Sequence, residues 1–181
     1  MKQLLQDPQL KTNLIGSCFI WLLSSFNFYL ITFYLKKFPG NVYVNSLCFA
    51  GADMVAFISS GLILNKVTVS SGLKISYSLS LIGGISYLIF YHVTWLIPVL
   101  VCFSRVGGSM SFNIGYISVA RLFPTEYVST VFGIVNFVSH MITVGAPLVA
   151  ELHEPIPFTV FSFNSFLAIF ICTVLKEIDK K

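Results

Sequence analysis

The 181 residues are 56% hydrophobic and only 10% charged, against about 25% charged in a typical soluble domain. Phenylalanine alone occurs 18 times, and the mean hydropathy is +0.85. This composition excludes a disordered tail, a coiled coil and a nucleic-acid reader, and leaves too few charges to solvate a water-soluble globule. The remaining solvent is the lipid bilayer.

In chain order, residues 1–13 are polar and precede the first apolar run, which is too long for the core of a secretion signal. About 20 apolar residues cross the hydrocarbon as a helix. Six runs meet or approach that length: Leu14–Leu35, Asn41–Leu64, Ile75–Tyr91, Trp95–Ala120, Val128–Ala150 and Pro157–Leu175. The third is the shortest of them. None shows the alternation of a membrane β-barrel, and a backbone in lipid must satisfy itself, so the runs predict helices. The expected fold is an all-α membrane protein with six transmembrane helices over residues 14–175 and a polar tail at 176–181. The breaks carry turn chemistry: Lys36 to Gly40 ends in Pro39-Gly40, and Asn65 to Gly72 is small and polar. Tyr91 to Trp95 is short and aromatic, as at the headgroup level.

Six crossings put both termini on one side. That side then holds Lys2, Lys11, Lys66, Lys74, Arg121, Lys176, Lys180 and Lys181, and the other holds only Lys36 and Lys37. Short loops rich in Lys and Arg stay in the cytoplasm, so both termini are expected there. The four cysteines, Cys18, Cys48, Cys102 and Cys172, sit singly inside apolar runs and read as small core hydrophobes. No phosphate loop, GxSxG, HExxH or metal-spaced cluster occurs, so no cofactor, no metal and no enzymatic activity are expected.

Three runs contain an ionisable side chain well inside the hydrocarbon: Asp53, Arg105 and His140. Even lenient scales charge about 2.5–3.5 kcal/mol for a central Asp or Arg, so such groups face a bundle interior or a wet cavity. Counting along the runs places all three roughly 15–18 Å below the side opposite the termini. Two readings stand open. Asp53 and Arg105 form a structural ion pair between the second and fourth runs, or the three groups line a passage. Polar neighbours favour the passage. Gly133, Asn136, His140, Thr143 and Pro147 share helical spacing on the fifth run. Arg105, Ser109, Phe112 and Tyr116 do so on the fourth, and Ser17, Trp21, Ser24 and Phe28 on the first, with Asn27 adjacent. Asn45 lies two turns before Asp53. The candidate substrate-binding residues are therefore Asn27, Asn45, Asp53, Arg105, Tyr116, Asn136 and His140. Imidazole is the side chain that changes charge between about pH 5 and 8, so His140 reads either as a proton carrier or as a core histidine held by a hydrogen bond. The third and sixth runs lack ionisable residues and are expected at the lipid-facing periphery. Ser104, Gly108, Ser111 and Gly115 form a small-residue stripe suited to helix packing. Gly145-Ala146-Pro147 is expected to bend the fifth helix.

Ser104-Arg105-Val106-Gly107, Phe112-Asn113-Ile114-Gly115-Tyr116 and Ala120-Arg121-Leu122-Phe123-Pro124-Thr125-Glu126 together resemble the major facilitator superfamily. The branch most similar carries organic cations, organic anions or carnitine. Ser139-His140 and Ala146-Pro147 fall in register with that branch's eleventh helix, and Asn41 to Asn45 with Asp53 resemble its eighth. The resemblance implies that the six spans are the C-terminal six-helix half of a facilitator, whose partner half is a second copy or a separate chain. It also implies a small organic solute, an ion or a sugar-like molecule, as the transported partner. Arg121 stands where the family has an acidic residue, Val128 where it has arginine, and the loop after the second span lacks the family's basic run. Lys66, Arg121 and Glu126 are left to form an inner latch, with Pro147 as a gating bend. The alternative is a non-transporting membrane partner or a fragment of a longer transporter.

Overall fold

Asp7 opens the first helix. Its carboxylate accepts from the Gln9 amide at 2.8 Å and the Leu10 amide at 3.4 Å, and Pro8 follows at a position that has no N–H to satisfy. The computed structural model describes residues 6–38 and 41–177. Its helices are α1 (Pro8–Tyr34, continued by a 3-10 turn at Leu35–Lys37), α2 (Val42–Leu64), α3 (Val69–Phe90), α4 (Ile97–Leu122), α5 (Thr125–Thr143), α6 (Ala146–Ala150) and α7 (Ile156–Cys172). Among the described residues there is no strand.

The all-α membrane fold is as expected, with shifts that have local causes. The Thr68 hydroxyl accepts from the Ser71 amide, so α3 starts at Val69 instead of Ile75, and Lys74 joins the helix. The third helix therefore has 22 residues, and the shortest span is α7, with 17. Counting α5 and α6 as one span, five helices are long and apolar enough to cross a membrane. At 17 residues, α7 rises only about 25 Å of a roughly 30 Å hydrocarbon layer. The fifth span breaks at Val144–Gly145, as the Gly-Ala-Pro sequence predicts, because Pro147 brings no N–H to the Thr143 carbonyl. The expected Pro39-Gly40 turn and the lysines Lys2, Lys180 and Lys181 lie outside the described residues.

α1 is the central rod and packs on α4, α5, α6 and α7. α2 leans on α4 and barely meets α3. The third and sixth spans, expected at the lipid-facing periphery, do expose large apolar side chains such as Ile82, Ile89, Phe163 and Phe170, yet their other faces are tightly packed. α3 packs closely on α4 and α7, while α2 and the fifth span are the most open. Small residues are the cause. A Cβ on Gly83 would lie 2.5 Å from Ser104 Oγ, and one on Gly107 would press into the Ser80 and Ser76 backbone. Backbones can approach this closely only where side chains are absent or short. Two apolar cores result. One, around Trp21, Leu73, Tyr77, Ile114 and Phe123, fills the half near the termini. The other, around Tyr34, Phe38, Tyr87, Val101 and Phe158, fills the opposite half.

Both described ends meet on one side. Asn13, 1% exposed, donates to the Leu122 carbonyl at 3.3 Å and the Lys176 carbonyl at 2.8 Å, and accepts from the Lys176 amide. This contact brings the start of α1, the end of α4 and the segment after α7 together at one end of the bundle. On the other side, Lys36 pairs with Glu151, Lys37 donates to the Leu152 carbonyl, and buried Tyr34 donates to Glu154 while bonding Tyr87. Two outer loops are thereby tied together, and the Lys36 ammonium holds the Glu151 carboxyl below the usual carboxylate range. Gly107→Val should drive α3 and α4 apart and destabilise the fold by about 1–3 kcal/mol. Thermal unfolding in detergent reads this, and an unchanged midpoint would show that the close crossing is not needed.

Candidate functional site

Asp53 stands at the centre of α2 and meets α4 side-on. Buried positions on α2 recur at Phe49, Ala52, Ala56, Ser60 and Leu64, a stripe that seats the helix on α4 and brings Asp53 to its edge. Arg105 answers from α4. Its Nε and Nη2 donate to the two Asp53 oxygens, each at 2.8 Å, in a bidentate fork. The second terminal nitrogen, Nη1, crosses to α1 and donates to the Phe28 carbonyl at 3.0 Å and the Thr32 hydroxyl at 2.6 Å. The Ser109 hydroxyl, one turn along α4, donates to Asp53 at 2.5 Å. The guanidinium lies over the Phe28 ring, 3.9 Å from its centroid, where the ring's negative face adds to its stabilisation. One arginine thus joins three helices.

The two partners differ in exposure. The Arg105 side chain is 5% exposed and the Asp53 side chain 22%. The cation is sealed and the carboxylate is half open. A polar seam continues between α2 and α4 toward the termini. Asn113 bonds Ser60, and Arg121 donates to the Leu64 carbonyl at 3.1 Å, closing the end of α2. Beside the ion pair runs an aromatic surface. Phe28 stacks on Phe112 at 4.8 Å, and Tyr116 stands edge-on to Trp21 at 4.4 Å, with Phe132 of α5 beside both.

The other predicted residues divide. Asn45 is buried, two turns before Asp53, and Tyr116 is exposed on the aromatic surface. His140 is exposed, in a shallow hollow of about 330 Å³ with Tyr29, Phe33, Thr143, Val144 and Pro147. Arg105 and His140 therefore reach the same turns of α1, as the counted depths required, but on different faces. Positions 28 and 32 point about 100° away from 29 and 33. The buried stripe of α5 is Val131, Val135, Ser139 and Thr143, which shares Thr143 with the stripe read from sequence but runs through Val135 and Ser139 instead of Asn136 and His140, leaving His140 outward. Asn136 is half-buried and donates to the Phe132 carbonyl of its own helix.

Two expectations need correction. Asn27, expected among the substrate-binding residues, lies apart from the ion pair and is closed off from solvent. It is 1% exposed and clamps α1 to α7, donating to the Phe161 carbonyl and the Ser165 hydroxyl and accepting from Asn164. The latch is not formed either. Lys66 and Glu126 are exposed, and Arg121 serves the Leu64 carbonyl instead of an acidic partner, so these three make no ion pair with one another among the described residues. Thr32, Tyr29 and Phe33 were missed. Thr32 was legible, because it extends the Trp21, Ser24 and Phe28 spacing by one turn.

No family model matches the chain. The human protein solute carrier family 22 member 13 is 30% identical over 96% of this chain, and the mouse solute carrier family 22 member 21 is 26% identical over 67% of it. The matches cover 32% and 22% of those proteins, so the chain spans about a third or less of their length. This chain is similar to solute carriers. The resemblance read from its motifs and the similarity of its whole length thus point the same way.

Asn27→Ala removes a buried amide and leaves the Asn164 donor unpaired, so it should destabilise the fold by about 1–3 kcal/mol. It should leave the affinity for solute unchanged, which separates a clamp from a binding group. A measured affinity loss at unchanged stability would return Asn27 to the site.

Proposed function

We propose that this chain is one six-helix part of a secondary transporter for small organic solutes, corresponding to the C-terminal half of a major-facilitator-type protein. The observation that carries the reading is the half-open Asp53 carboxylate, fixed by Arg105 at mid-depth beside an aromatic surface. Transporter substrate sites lie at that depth, between two helical halves. Aromatic faces beside a carboxylate suit a molecule with an apolar body and a polar or charged end. The openness of α2 and of the fifth span supports a second six-helix half against this face. The excess of Lys and Arg beside the termini supports a cytoplasmic location for both.

Asp53, Arg105 and Tyr116 are the binding candidates, with Asn45 behind them. His140 stands in the hollow on the other side of α1, and Asn136 lies one turn before it on α5. The chain contains two tryptophans, so Trp95→Phe leaves Trp21, beside Tyr116, as the sole reporter. In liposomes, titration with a quaternary ammonium ion and with an aromatic carboxylate should give a saturable change in Trp21 emission for one of them. Asp53→Asn should weaken that binding about ten-fold, equivalent to ~1.4 kcal/mol. If neither probe changes the emission, or Asp53→Asn leaves the affinity intact, the reading fails.

A second reading is favoured by the unformed latch. The chain then acts as a non-transporting partner of another helical membrane protein. It predicts a stable complex with a second six-helix chain in mild detergent and no solute response. A solute response in the isolated chain contradicts it.

A further inference from the structure

We propose that the groove between α2 and α3 holds an anionic phospholipid of the leaflet on the side of the termini. The two helices barely touch each other, and each packs instead on α4. Between them lies a cavity of about 550 Å³, floored by Val106 and Met110 of α4. That size is within the usual range of ligand clefts, about 300–1,000 Å³. The walls are apolar, with Ile63 from α2 and Ile75, Leu79 and Ile82 from α3.

Three polar groups interrupt the apolar lining, and their order along the groove is the argument. Lys74 stands in the second turn of α3, close to the end of the helix that lies on the side of the termini. Ser59 of α2 stands at about the same depth as Lys74, five residues from the end of its helix, and Ser78 follows one turn deeper on α3. Lys74 is half-buried and makes no ion pair or hydrogen bond among the described residues. Among the described residues its ammonium is the only charged group in the groove lining. A half-buried cation with no ion pair or hydrogen bond among the described residues is costly beside lipid, where such side chains reach for the interface. An anion at the headgroup level removes that cost.

The apolar walls determine what carries the anion. From Lys74 to Ile82 the groove extends about 12 Å into the hydrocarbon. It lies next to the exposed Ile75, Ile82, Leu62 and Ile58, so it opens sideways onto the bilayer. A free phosphate satisfies Lys74 but leaves the walls empty. A phospholipid supplies both parts, with its phosphate at Lys74 and the Ser59 hydroxyl, its ester region at the Ser78 hydroxyl, and an acyl chain along Leu79 and Ile82. Basic groups beside membrane-spanning helices bind anionic headgroups in this way. The groove shares no lining residue with the Asp53–Arg105 site, so the two can fail separately.

The test is native mass analysis of the chain released from nanodiscs containing equal phosphatidylglycerol and phosphatidylcholine. The wild type should retain phosphatidylglycerol over phosphatidylcholine. Lys74→Gln should reduce that preference about five-fold, the worth of one lysine at a membrane surface, and Lys74→Arg should restore it. Leu79→Trp, which fills the groove, should reduce retention of both lipids. Lys66→Gln, an exposed lysine on the same side, should change nothing. Equal preference in the wild type and Lys74→Gln, or a loss equally large in Lys66→Gln, overturns the proposal. So does displacement of lipid by a second copy of the chain, seen as lipid-free dimer.

Discussion

A charge cannot stand alone in oil, and the arrangement of this chain follows from how it meets that constraint. Arg105 is sealed within the bundle at 4% exposure. Its neutralisation requires Asp53 from α2, and its remaining donors require the Phe28 carbonyl and Thr32 from α1. Three helices are thereby fixed in rotation and in height. α2 has almost no other neighbour, so its place in the bundle depends on the α4 seam, of which this pair is the strongest member. Ser109, the Asn113–Ser60 bond and the Arg121–Leu64 contact extend that seam toward the termini.

The same constraint shapes the candidate site. A fully closed pair would be only a staple. Here the cation is enclosed and the carboxylate is partly open, so negative charge is presented at a defined depth beside Phe28, Phe112 and Tyr116. Similarity to solute carriers and the mid-depth position both agree with the proposed use of this surface. The structural staple and the binding surface, alternatives in the sequence, become two faces of one pair. Arg105 holds the helices and Asp53 faces the opening.

The fold was legible because its cause is additive. Six apolar runs, turn residues between them and an uneven distribution of lysines each point to the same bundle, and errors of a few residues do not change the result. The ion pair was legible too, since only two opposite charges lie deep on neighbouring spans. Phase was harder to read. The stripe read on α5 followed its polar residues, but burial followed Val131, Val135, Ser139 and Thr143, so that Ser139 turned inward and His140 outward. Asn27 was misplaced for a related reason. A buried asparagine satisfies its amide wherever a partner lies, and the partners on α7 are invisible until the chain folds. The lipid-facing sides of α3 and α7 were legible in their lack of charge, but the close packing of their other faces was not, because glycine and serine at Ser76, Ser80, Gly83, Gly84 and Ser104 set how closely the helices approach.

The central claim is that Asp53 and Arg105 act as one unit joining α2 to α1 and α4. A double-mutant cycle with Asp53→Ala, Arg105→Ala and the double variant, read by reversible unfolding in detergent, measures this directly. The account predicts a coupling of about 1–3 kcal/mol, with the double variant more stable than the sum of the single losses implies. Additivity within ~0.5 kcal/mol would mean that the two side chains do not depend on each other, and would contradict the account.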